Sequence, residues 1–279
     1  MMRPITGTTR VAAVIGNPVR HSLSPALHNA AFAQLGLDWV YTAFDVAPGA
    51  AADALAAMKV LGLGGLSVTM PHKEAVAAAV DTLDPAAAAL RSVNTVVPQP
   101  GGSLMGHSTD GAGFVASLAA AGVAVAGRSV CLLGAGAAAR SIADALARAG
   151  VARVAVINRT FATAQETVRL AGVAGVIGSA ADVRDADIVV NATSIGMGSN
   201  DLPCDAALLR AGQVVADVVY HPRTTALLVA AAAAGATCID GLGMLVHQAA
   251  LQQQLWHGEL PDIAAMTAAA ERELAARRQ

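Results

Sequence analysis

Short apolar, β-branched runs alternate with longer alanine-rich runs along the whole chain. The short runs are typical of buried strands and the long runs of helices, so the alternation predicts an α/β protein with mainly parallel sheets. Strand candidates in the first half are 11–15, 39–46, 64–68 and 93–97. Two prolines suggest helix starts: Ser24 is expected as an N-cap before Pro25, and Pro71 is expected to open the helix carrying Lys73.

The same alternation restarts at Arg128. It predicts a strand at 129–133, a helix running to about Ala149, and a second helix at 161–170. Further strands are expected at 153–157, 187–190 and 214–218, and the segments 242–257 and 262–277 have helical patterns throughout.

Composition narrows the class of protein. The chain has 279 residues, 55% of them hydrophobic, and a net charge of −2, so it has no electrostatic footprint for nucleic acid or anionic lipid. Cysteines and histidines are too scattered for a disulfide framework or a metal site. The apolar run 225–235 is too short to cross a bilayer and the N-terminus has no signal-peptide pattern, so we expect a cytoplasmic protein that does not bind membranes.

A glycine-rich turn follows the apolar run 129–133. Gly134 and Gly136 precede a predicted helix, with the small residue Ala139 at the third position of the pattern. In this context the first glycine permits a tight turn, the second lets the backbone approach a pyrophosphate, and the helix N-terminus faces the phosphates. The turn therefore indicates dinucleotide binding; the alternative is a glycine turn with only a structural role.

The residues after the next strand distinguish the two nicotinamide dinucleotides. An NAD site usually places a carboxylate here for the ribose 2′-hydroxyl, whereas this chain has Asn158, Arg159 and Thr160. A guanidinium pairs with a 2′-phosphate that a carboxylate would repel. NADP is therefore favoured over NAD, unless Arg159 is an ordinary solvated residue.

Polar clusters interrupt the apolar pattern of the first half, each after a predicted strand or at a helix start: 21–25, 67–73, 94–95 and 108–111. Together they offer hydroxyls, an amide, one lysine and one aspartate, a set that suits a polyhydroxylated substrate. Lys73 and Asp110 are candidates for a proton-transfer pair, because reduction of a ketone by hydride requires a proton donor for the developing alkoxide. The alternative for these two residues is an ordinary surface ion pair.

These segments, in order and spacing, resemble the shikimate dehydrogenase family over nearly the whole chain. The matching stretches are IGNPVRHSLSPALHNAAF (15–32), SVTMPHKE (67–74), VNTV (93–96), STDGAGF (108–114), GAGAAAR (134–140), NRT (158–160), NATSIGM (191–197) and DGLGMLVHQA (240–249). The first, the lysine stretch and the last are the most specific.

The resemblance implies reversible, NADP-dependent reduction of 3-dehydroshikimate to shikimate. It implies an N-terminal α/β substrate-binding domain, residues 1–108, completed by C-terminal helices in 243–279. A Rossmann-type NADP-binding domain, residues 109–242, would form the other wall of a cleft between the domains. Lys73 would be the acid/base residue and Asp110 its partner. Substrate groups would be held by Ser22, Ser24, Ser67, Thr69, Asn94, Tyr220 and Gln248. The cofactor site would be lined by Gly134, Ala135, Gly136, Ala137, Ala138, Asn158, Arg159, Thr160, Thr193 and Gly241.

Three positions depart from the family pattern. Ser67 and Ser108 stand where the family usually has asparagine, and Thr163 stands where a basic residue often follows the Asn-Arg-Thr run. Two amides replaced by hydroxyls indicate a changed preference for ring substituents, and the loss of the basic residue weakens the 2′-phosphate clamp. Quinate or a modified shikimate such as aminoshikimate is therefore an alternative substrate, with NAD as an alternative cofactor.

Two other classes of protein compete with this interpretation. A catalytically silent nucleotide-sensing protein would not need to keep both Lys73 and Asp110. A methyltransferase also uses a glycine-rich strand–helix turn, but it leaves the polar clusters of the first half unexplained. We therefore expect an enzyme with a small-molecule substrate, which is either a monomer or a homodimer.

Overall fold

The computed structural model describes residues 4–277. Residues 1–3 and 278–279, which belong to the predicted substrate domain, lie outside the described residues. The chain forms two compact units: residues up to Thr109 together with the chain from Val246 onward, called here the outer unit, and Asp110–Leu245, called the central unit. The boundaries predicted from sequence fell after residues 108 and 242.

The outer unit is an α/β layer built on a six-stranded sheet with the order β2-β1-β3-β5-β6-β4. Neighbouring strands β1, β2 and β3 are parallel, whereas β5 runs antiparallel to both of its neighbours. Its strands are β1 (Arg10–Gly16), β2 (Trp39–Asp45), β3 (Gly65–Val68), β4 (Thr82–Leu83), β5 (Thr95–Pro98) and β6 (Leu104–His107). Its helices are α1 (Ser24–Leu35), α2 (Ala51–Leu61), α3 (Lys73–Ala79), α4 (Pro85–Leu90), most of α10 (Gly241–His257), and α11 (Ile263–Ala276).

One face of this sheet is covered by aromatic residues and by α10. Trp39 and Tyr41 are buried and alternate on β2, so they project from the same face. Trp256 of α10 packs on Gly65 of β3, where an added Cβ would collide with the indole ring. The indole N–H donates to the carbonyl of Val96 at 3.1 Å. The absence of a side chain at residue 65 therefore lets α10 approach the sheet closely.

The central unit is a parallel six-stranded sheet with the order β12-β11-β10-β7-β8-β9. Its strands are β7 (Ser129–Leu133), β8 (Arg153–Ile157), β9 (Gly175–Ile177), β10 (Ile188–Asn191), β11 (Val214–Asp217) and β12 (Thr237–Ile239). Its helices are α5 (Asp110–Ala120), α6 (Ala137–Arg148), α7 (Phe161–Leu170), α8 (Ala180–Asp185) and α9 (Ala226–Ala233). Counted from β7, this is the doubly wound order 3-2-1-4-5-6, whose switch point lies between β7 and β10.

The structure confirms the α/β alternation and every strand and helix named above to within a few residues. The expectation of mainly parallel pairing holds for the central sheet but not around β5. Sequence reasoning missed the hairpin between β5 and β6, whose Pro-Gly-rich connection separates two runs of only four residues. Without an α-helix between them, such neighbouring strands pair antiparallel.

Two predicted helix starts were wrong. Ser24 is the first helical residue of α1 and Leu23 is the N-cap, with no side-chain cap. The Oγ atom of Ser22 instead accepts from the backbone N–H of Ser24 at 3.2 Å. Likewise, α3 begins at Lys73, so Pro71 lies before the helix rather than opening it.

Candidate active site

The polar segments of the outer unit meet at one edge of its sheet. Val68 of β3 pairs with Ile15 of β1. Thr95, at the amino end of β5, pairs with Ser67 of β3 on one side and with His107 of β6 on the other. Because β5 is antiparallel, its amino end lies beside the carboxyl ends of β1, β3 and β6. The segments that follow β1, β3 and β6, and the one that precedes β5, therefore converge. They carry Ser22, Ser24, Ser67, Thr69, Lys73 and Asn94.

Lys73 is anchored to this edge through its backbone. Its carbonyl accepts from the N–H of Val93 at 3.0 Å, which places it next to the segment carrying Asn94. The preceding turn is fixed as well, because the N–H of Thr69 donates to the carbonyl oxygen of Ile15 at 2.9 Å. The imidazole of His72, buried below this turn, bonds to the carbonyl of Val46 at 2.8 Å. The start of α3, and with it the Lys73 Cα, is therefore held rigidly.

Asn94 is the centre of a buried amide–hydroxyl cluster. Its Oδ1 accepts from the N–H of Thr109 at 2.9 Å and from the hydroxyl of Thr95 at 2.8 Å. Its Nδ2 donates to Thr109 Oγ1 at 2.9 Å, and that hydroxyl donates to the carbonyl of Gln248 at 3.1 Å. Asn94 and Gln248, separated by most of the chain, therefore belong to one hydrogen-bonded cluster.

A second chain of buried polar groups joins this cluster from β2. The hydroxyl of Tyr41 donates to Ser67 Oγ at 2.6 Å, and Ser67 donates to Gln252 Oε1 at 2.6 Å. The Nε2 of Gln252 donates to Gln248 Oε1 at 3.0 Å and to the carbonyl of Asn94 at 3.3 Å. Gln248 and Gln252 lie one helical turn apart on α10, so both side chains face the same edge.

The ring of Tyr41 is held between other aromatic groups. His28 stacks on it with ring centroids 4.2 Å apart, and burial lowers the pKa of His28 to about 3, which keeps the imidazole neutral. The side-chain Nε2 of Gln253 donates to the His28 carbonyl at 3.1 Å and contacts its Nδ1 at 3.0 Å. Burial also raises the pKa of Tyr41, so the phenol remains a hydrogen-bond donor.

His107, the other histidine near this edge, binds a structural carboxylate. Its Nδ1 lies 3.0 Å from Asp84 Oδ2, while Asp84 Oδ1 caps α4 by accepting from the N–H of Ala87. Burial opposes ionisation of Asp84, but hydrogen bonds from His107 and from backbone N–H groups outweigh it and lower its pKa. Both His72 and His107 thus have structural partners.

In the central unit, the glycine turn lies at the switch point of the sheet. Gly134 has φ +108°, and an added Cβ would lie 2.9 Å from Thr193 Cγ2 and 3.0 Å from the carbonyl oxygen of Ala192. Gly136 is the exposed N-cap of α6 and has no side-chain cap, and an added Cβ there would meet nothing within 4 Å. An open, uncapped N-terminus of a twelve-residue helix, approached by bare backbone, fits a pyrophosphate.

The loop after β8 presents an oriented amide and an exposed arginine. Asn158 Nδ2 donates to the carbonyl of Thr160 at 3.0 Å and to Thr163 Oγ1 at 2.7 Å. Because a carbonyl can only accept, these contacts fix the nitrogen end of the amide. Arg159 is exposed and forms no ion pair with any residue in 4–277. Its guanidinium therefore suits a 2′-phosphate, and Thr163 holds the neighbouring amide in place.

Thr193 is fixed by a buried network behind the switch point. Asn191 Oδ1 accepts from the hydroxyl of Thr193 at 2.7 Å, and Asn191 Nδ2 donates to Asp217 Oδ1 at 2.9 Å. Burial raises the pKa of Asp217, which also accepts from Val219 N–H and Thr225 Oγ1. Asp217 therefore anchors both ends of the loop that carries Tyr220.

The predicted site residues divide between the two units. Lys73, Ser22, Ser24, Ser67, Thr69, Asn94 and Gln248 lie in the outer unit. Asp110, the first residue of α5, lies in the central unit with Tyr220, Thr193, Gly241 and the residues of the glycine turn and the Asn-Arg-Thr loop. Gly241 lies against the backbone of Val218 and Val219, where a Cβ would collide. The pairing of Lys73 with Asp110 and the contacts of all these residues with ligands stay predictions.

Two members of the buried clusters lie outside the polar segments identified from the sequence: Tyr41 and Gln252. Tyr41 was treated only as part of a strand, although its alternation with Trp39 marks it as facing the core. The spacing of four between Gln248 and Gln252 was a detectable signal, because such residues share one face of a helix.

Within residues 4–277, no group of three or more His, Cys, Asp or Glu side chains is arranged to hold a metal ion. In the same part of the chain, no helix combines the length and hydrophobicity needed to cross a membrane.

The doubly wound sheet, its glycine turn and the arginine after β8 define a dinucleotide-dependent oxidoreductase with a second α/β unit. Comparison with known proteins identifies its family. Models described as the shikimate dehydrogenase substrate binding domain, the shikimate / quinate 5-dehydrogenase and the shikimate 5′-dehydrogenase C-terminal domain match residues 14–96, 117–197 and 241–271, respectively. The NADP(+) shikimate dehydrogenase of Rubrobacter xylanophilus is 44% identical over 94% of this chain and 95% of its own length. The chain therefore belongs to the shikimate dehydrogenase family.

Solved structures with the same fold include two with different substrates in their names. The shikimate 5-dehydrogenase of Thermus thermophilus, in complex with NADP(H) and shikimate, has a TM-score of 0.86 and 39% identity, covering 94% of this chain and 99% of its own. The 5-ketofructose reductase of a Gluconobacter strain has a TM-score of 0.88 and 34% identity, covering 96% and 99%. Fold and overall identity thus leave the substrate to be argued from the site.

Proposed function

We propose that the protein catalyses the reversible, NADP-dependent reduction of 3-dehydroshikimate to shikimate. The observation that carries this proposal is the edge where Lys73, Ser67 and Asn94 converge in the outer unit. A lysine beside fixed amides and hydroxyls offers one proton donor among groups that bind ring hydroxyls. Family membership supports the same reaction, since a relative 44% identical is named for shikimate and NADP.

Each proposed residue has a chemical role in this reaction. Bound NADPH supplies the hydride for the carbonyl carbon. Lys73 Nζ donates a proton to the carbonyl oxygen as it becomes an alkoxide, and in the oxidative direction it accepts the proton of the same hydroxyl. Asp110 orients the Lys73 ammonium and accepts from a substrate hydroxyl. The remaining substrate hydroxyls and the carboxylate are held by Ser22, Ser24, Ser67, Thr69, Asn94, Tyr220 and Gln248.

The cofactor is held by the central unit. The backbone of Gly134 to Ala138 and the start of α6 bind the pyrophosphate. Arg159 would pair with the 2′-phosphate, flanked by Asn158 and Thr160, while Thr193 and Gly241 would line the cofactor site. The outer unit then serves as the substrate domain. We further propose a cytoplasmic enzyme that works as a monomer or a homodimer, which light scattering on the purified protein distinguishes.

The proposal is tested by following formation of the reduced nicotinamide, NADPH or NADH, with shikimate or quinate, each supplied with NADP⁺ or NAD⁺. Turnover of shikimate with NADP⁺ at a kcat/KM well above the other three pairs supports it. Quinate is the second candidate, favoured by Ser67 and by the match to a shikimate / quinate model. Preferred turnover of quinate, or preference for NAD⁺, would refute the main assignment of substrate or of cofactor.

The chain has only two lysines, which provides a matched control for the proton donor. Lys73→Ala is expected to lower kcat by about 10²–10⁴-fold without weakening NADPH binding. Lys59→Ala removes an exposed ion pair with Asp81, 2.9 Å long, and is expected to leave kcat unchanged. Equal activity of the two variants would exclude Lys73 as the acid/base residue.

A further inference from the structure

The hydrogen-bond directions around Ser67 are determined by a backbone carbonyl. Gln252 Nε2 donates to the carbonyl oxygen of Asn94 at 3.3 Å, and a carbonyl oxygen can only accept. The nitrogen of the Gln252 amide therefore points toward Asn94. The Oε1 atom of Gln252 is then the group that faces Ser67 Oγ at 2.6 Å.

This orientation uses the one hydrogen of the Ser67 hydroxyl. An amide oxygen accepts, so Ser67 must donate to it, and a hydroxyl has no second hydrogen. The 2.6 Å contact with Tyr41 must then run from the phenol to Ser67. Ser67 Oγ consequently has its hydrogen and one lone pair engaged within the protein, and only its second lone pair remains for a ligand.

All three groups are buried and held by packing. The exposed fractions of Tyr41, Ser67 and Gln252 are 2%, 5% and 2%. Tyr41 is further fixed by the stacked ring of His28, and Gln252 by its second donation to Gln248 Oε1. If Ser67 turned its hydrogen toward a ligand, Gln252 Oε1 would lose its hydrogen-bond donor in a buried site, which disfavours that rotation.

We propose that Gln252 is a specificity-determining positioning residue that makes Ser67 an acceptor-only group. Resting on the proposed function, the inference specifies the substrate class of the same site. The ring position that faces Ser67 must carry a hydrogen-bond donor, such as a hydroxyl. A substituent that can only accept, such as fluorine, a keto oxygen or a methoxy group, leaves Ser67 facing another acceptor. Gln252 acts through Ser67 and need not touch the substrate.

The test compares shikimate with two analogues in which one of its non-reacting ring hydroxyls is replaced by fluorine, which accepts but does not donate. The wild type is expected to discriminate against one analogue by about 100-fold or more in kcat/KM, because unpaired polar groups then remain buried. In Gln252→Met the Ser67 hydroxyl can turn and donate to the fluorine. The ratio of kcat/KM for shikimate to kcat/KM for that analogue is therefore expected to fall at least about tenfold, mainly through KM. Gln252→Ala removes the same acceptor without any risk of overpacking.

Three further variants separate hydrogen-bond direction from packing. Gln252→Glu keeps an oxygen that accepts from Ser67 and is expected to retain the discrimination. Tyr41→Phe disturbs the same cluster but leaves the Ser67–Gln252 bond, so the ratio is also expected to persist. Gln254→Met makes the same change at an exposed glutamine of the same helix, and so controls for the replacement of a glutamine by methionine in α10.

The inference is overturned if the wild type tolerates both analogues equally. It is also overturned if Gln252→Met or Gln252→Ala binds NADPH, and is therefore folded, yet keeps the wild-type ratio. Failure of the proposed function looks different: the wild type would then oxidise quinate rather than shikimate. The same comparison made with fluorinated quinates would still test the role of Gln252.

Discussion

Gly134 and Gly136 belong to one turn, yet replacing them is expected to have opposite consequences. At Gly136, φ is −77° and an added Cβ meets no atom within 4 Å, so alanine is tolerated by the fold. The same Cβ would stand where the pyrophosphate approaches the helix. We expect Gly136→Ala to weaken NADPH binding at least about tenfold, or about 1.4 kcal/mol, with little change in the melting temperature of the cofactor-free protein.

Gly134→Ala is the contrasting variant. Its φ of +108° strains any residue with a Cβ, and that Cβ would lie 3.0 Å from the backbone oxygen of Ala192. The backbone conformation alone costs about 1–2 kcal/mol. At roughly 2–4 °C per kcal/mol, we expect the cofactor-free protein to melt about 2–8 °C lower.

Thermal unfolding with and without NADPH measures both effects. At an NADPH concentration of 100 times the wild-type Kd, ligand binding stabilises the wild type by about 2.7 kcal/mol. A tenfold weaker Gly136→Ala would gain only about 1.4 kcal/mol at the same concentration. The assignment of the turn to pyrophosphate binding is refuted if Gly136→Ala binds NADPH like the wild type, or if it is destabilised as much as Gly134→Ala.

Three further expectations follow from single contacts. Arg159→Ala should weaken NADPH binding by about 1.5–3 kcal/mol and NADH binding hardly at all, since only NADPH has the 2′-phosphate; equal losses in fluorescence titrations would contradict this role. Gly65→Ala, which forces a methyl group against Trp256, should lower the free energy of unfolding in urea by about 1–3 kcal/mol, and an unchanged midpoint would exclude that clash. The lowered pKa of Asp84 means that its ionised form favours the folded state. This stabilisation is present above about pH 4, the ordinary aspartate pKa, and is lost as the pH falls through the folded-state pKa. Asp84→Asn should therefore be less stable than the wild type near neutral pH and approach it in acid; a constant difference would show that ionisation is not involved.

The sequence by itself determined the local elements and the chemistry carried by short segments. The succession of strand, glycine turn and helix in 129–149 indicated dinucleotide binding from sequence alone, because the apolar strand and the glycines are neighbours in the chain. The absence of a carboxylate after β8 and the presence of Arg159 are likewise local, so the preference for NADP could be inferred before any contact was known. Lys73 stood out as the one lysine among the polar clusters of the first half.

Only the tertiary structure decided which distant polar groups share hydrogen bonds. Ser67 and Gln252 are separated by 185 positions, and Asn94 and Gln248 by 154. Their contacts depend on α10 returning to the sheet of β1, β3 and β5, and on the bare Gly65 that lets Trp256 approach. From sequence, Ser67 is a serine where the family usually has asparagine. In the structure, its hydroxyl hydrogen is donated to Gln252 Oε1. Hydrogen-bond direction is a property of the assembled network, so no local pattern could have predicted it.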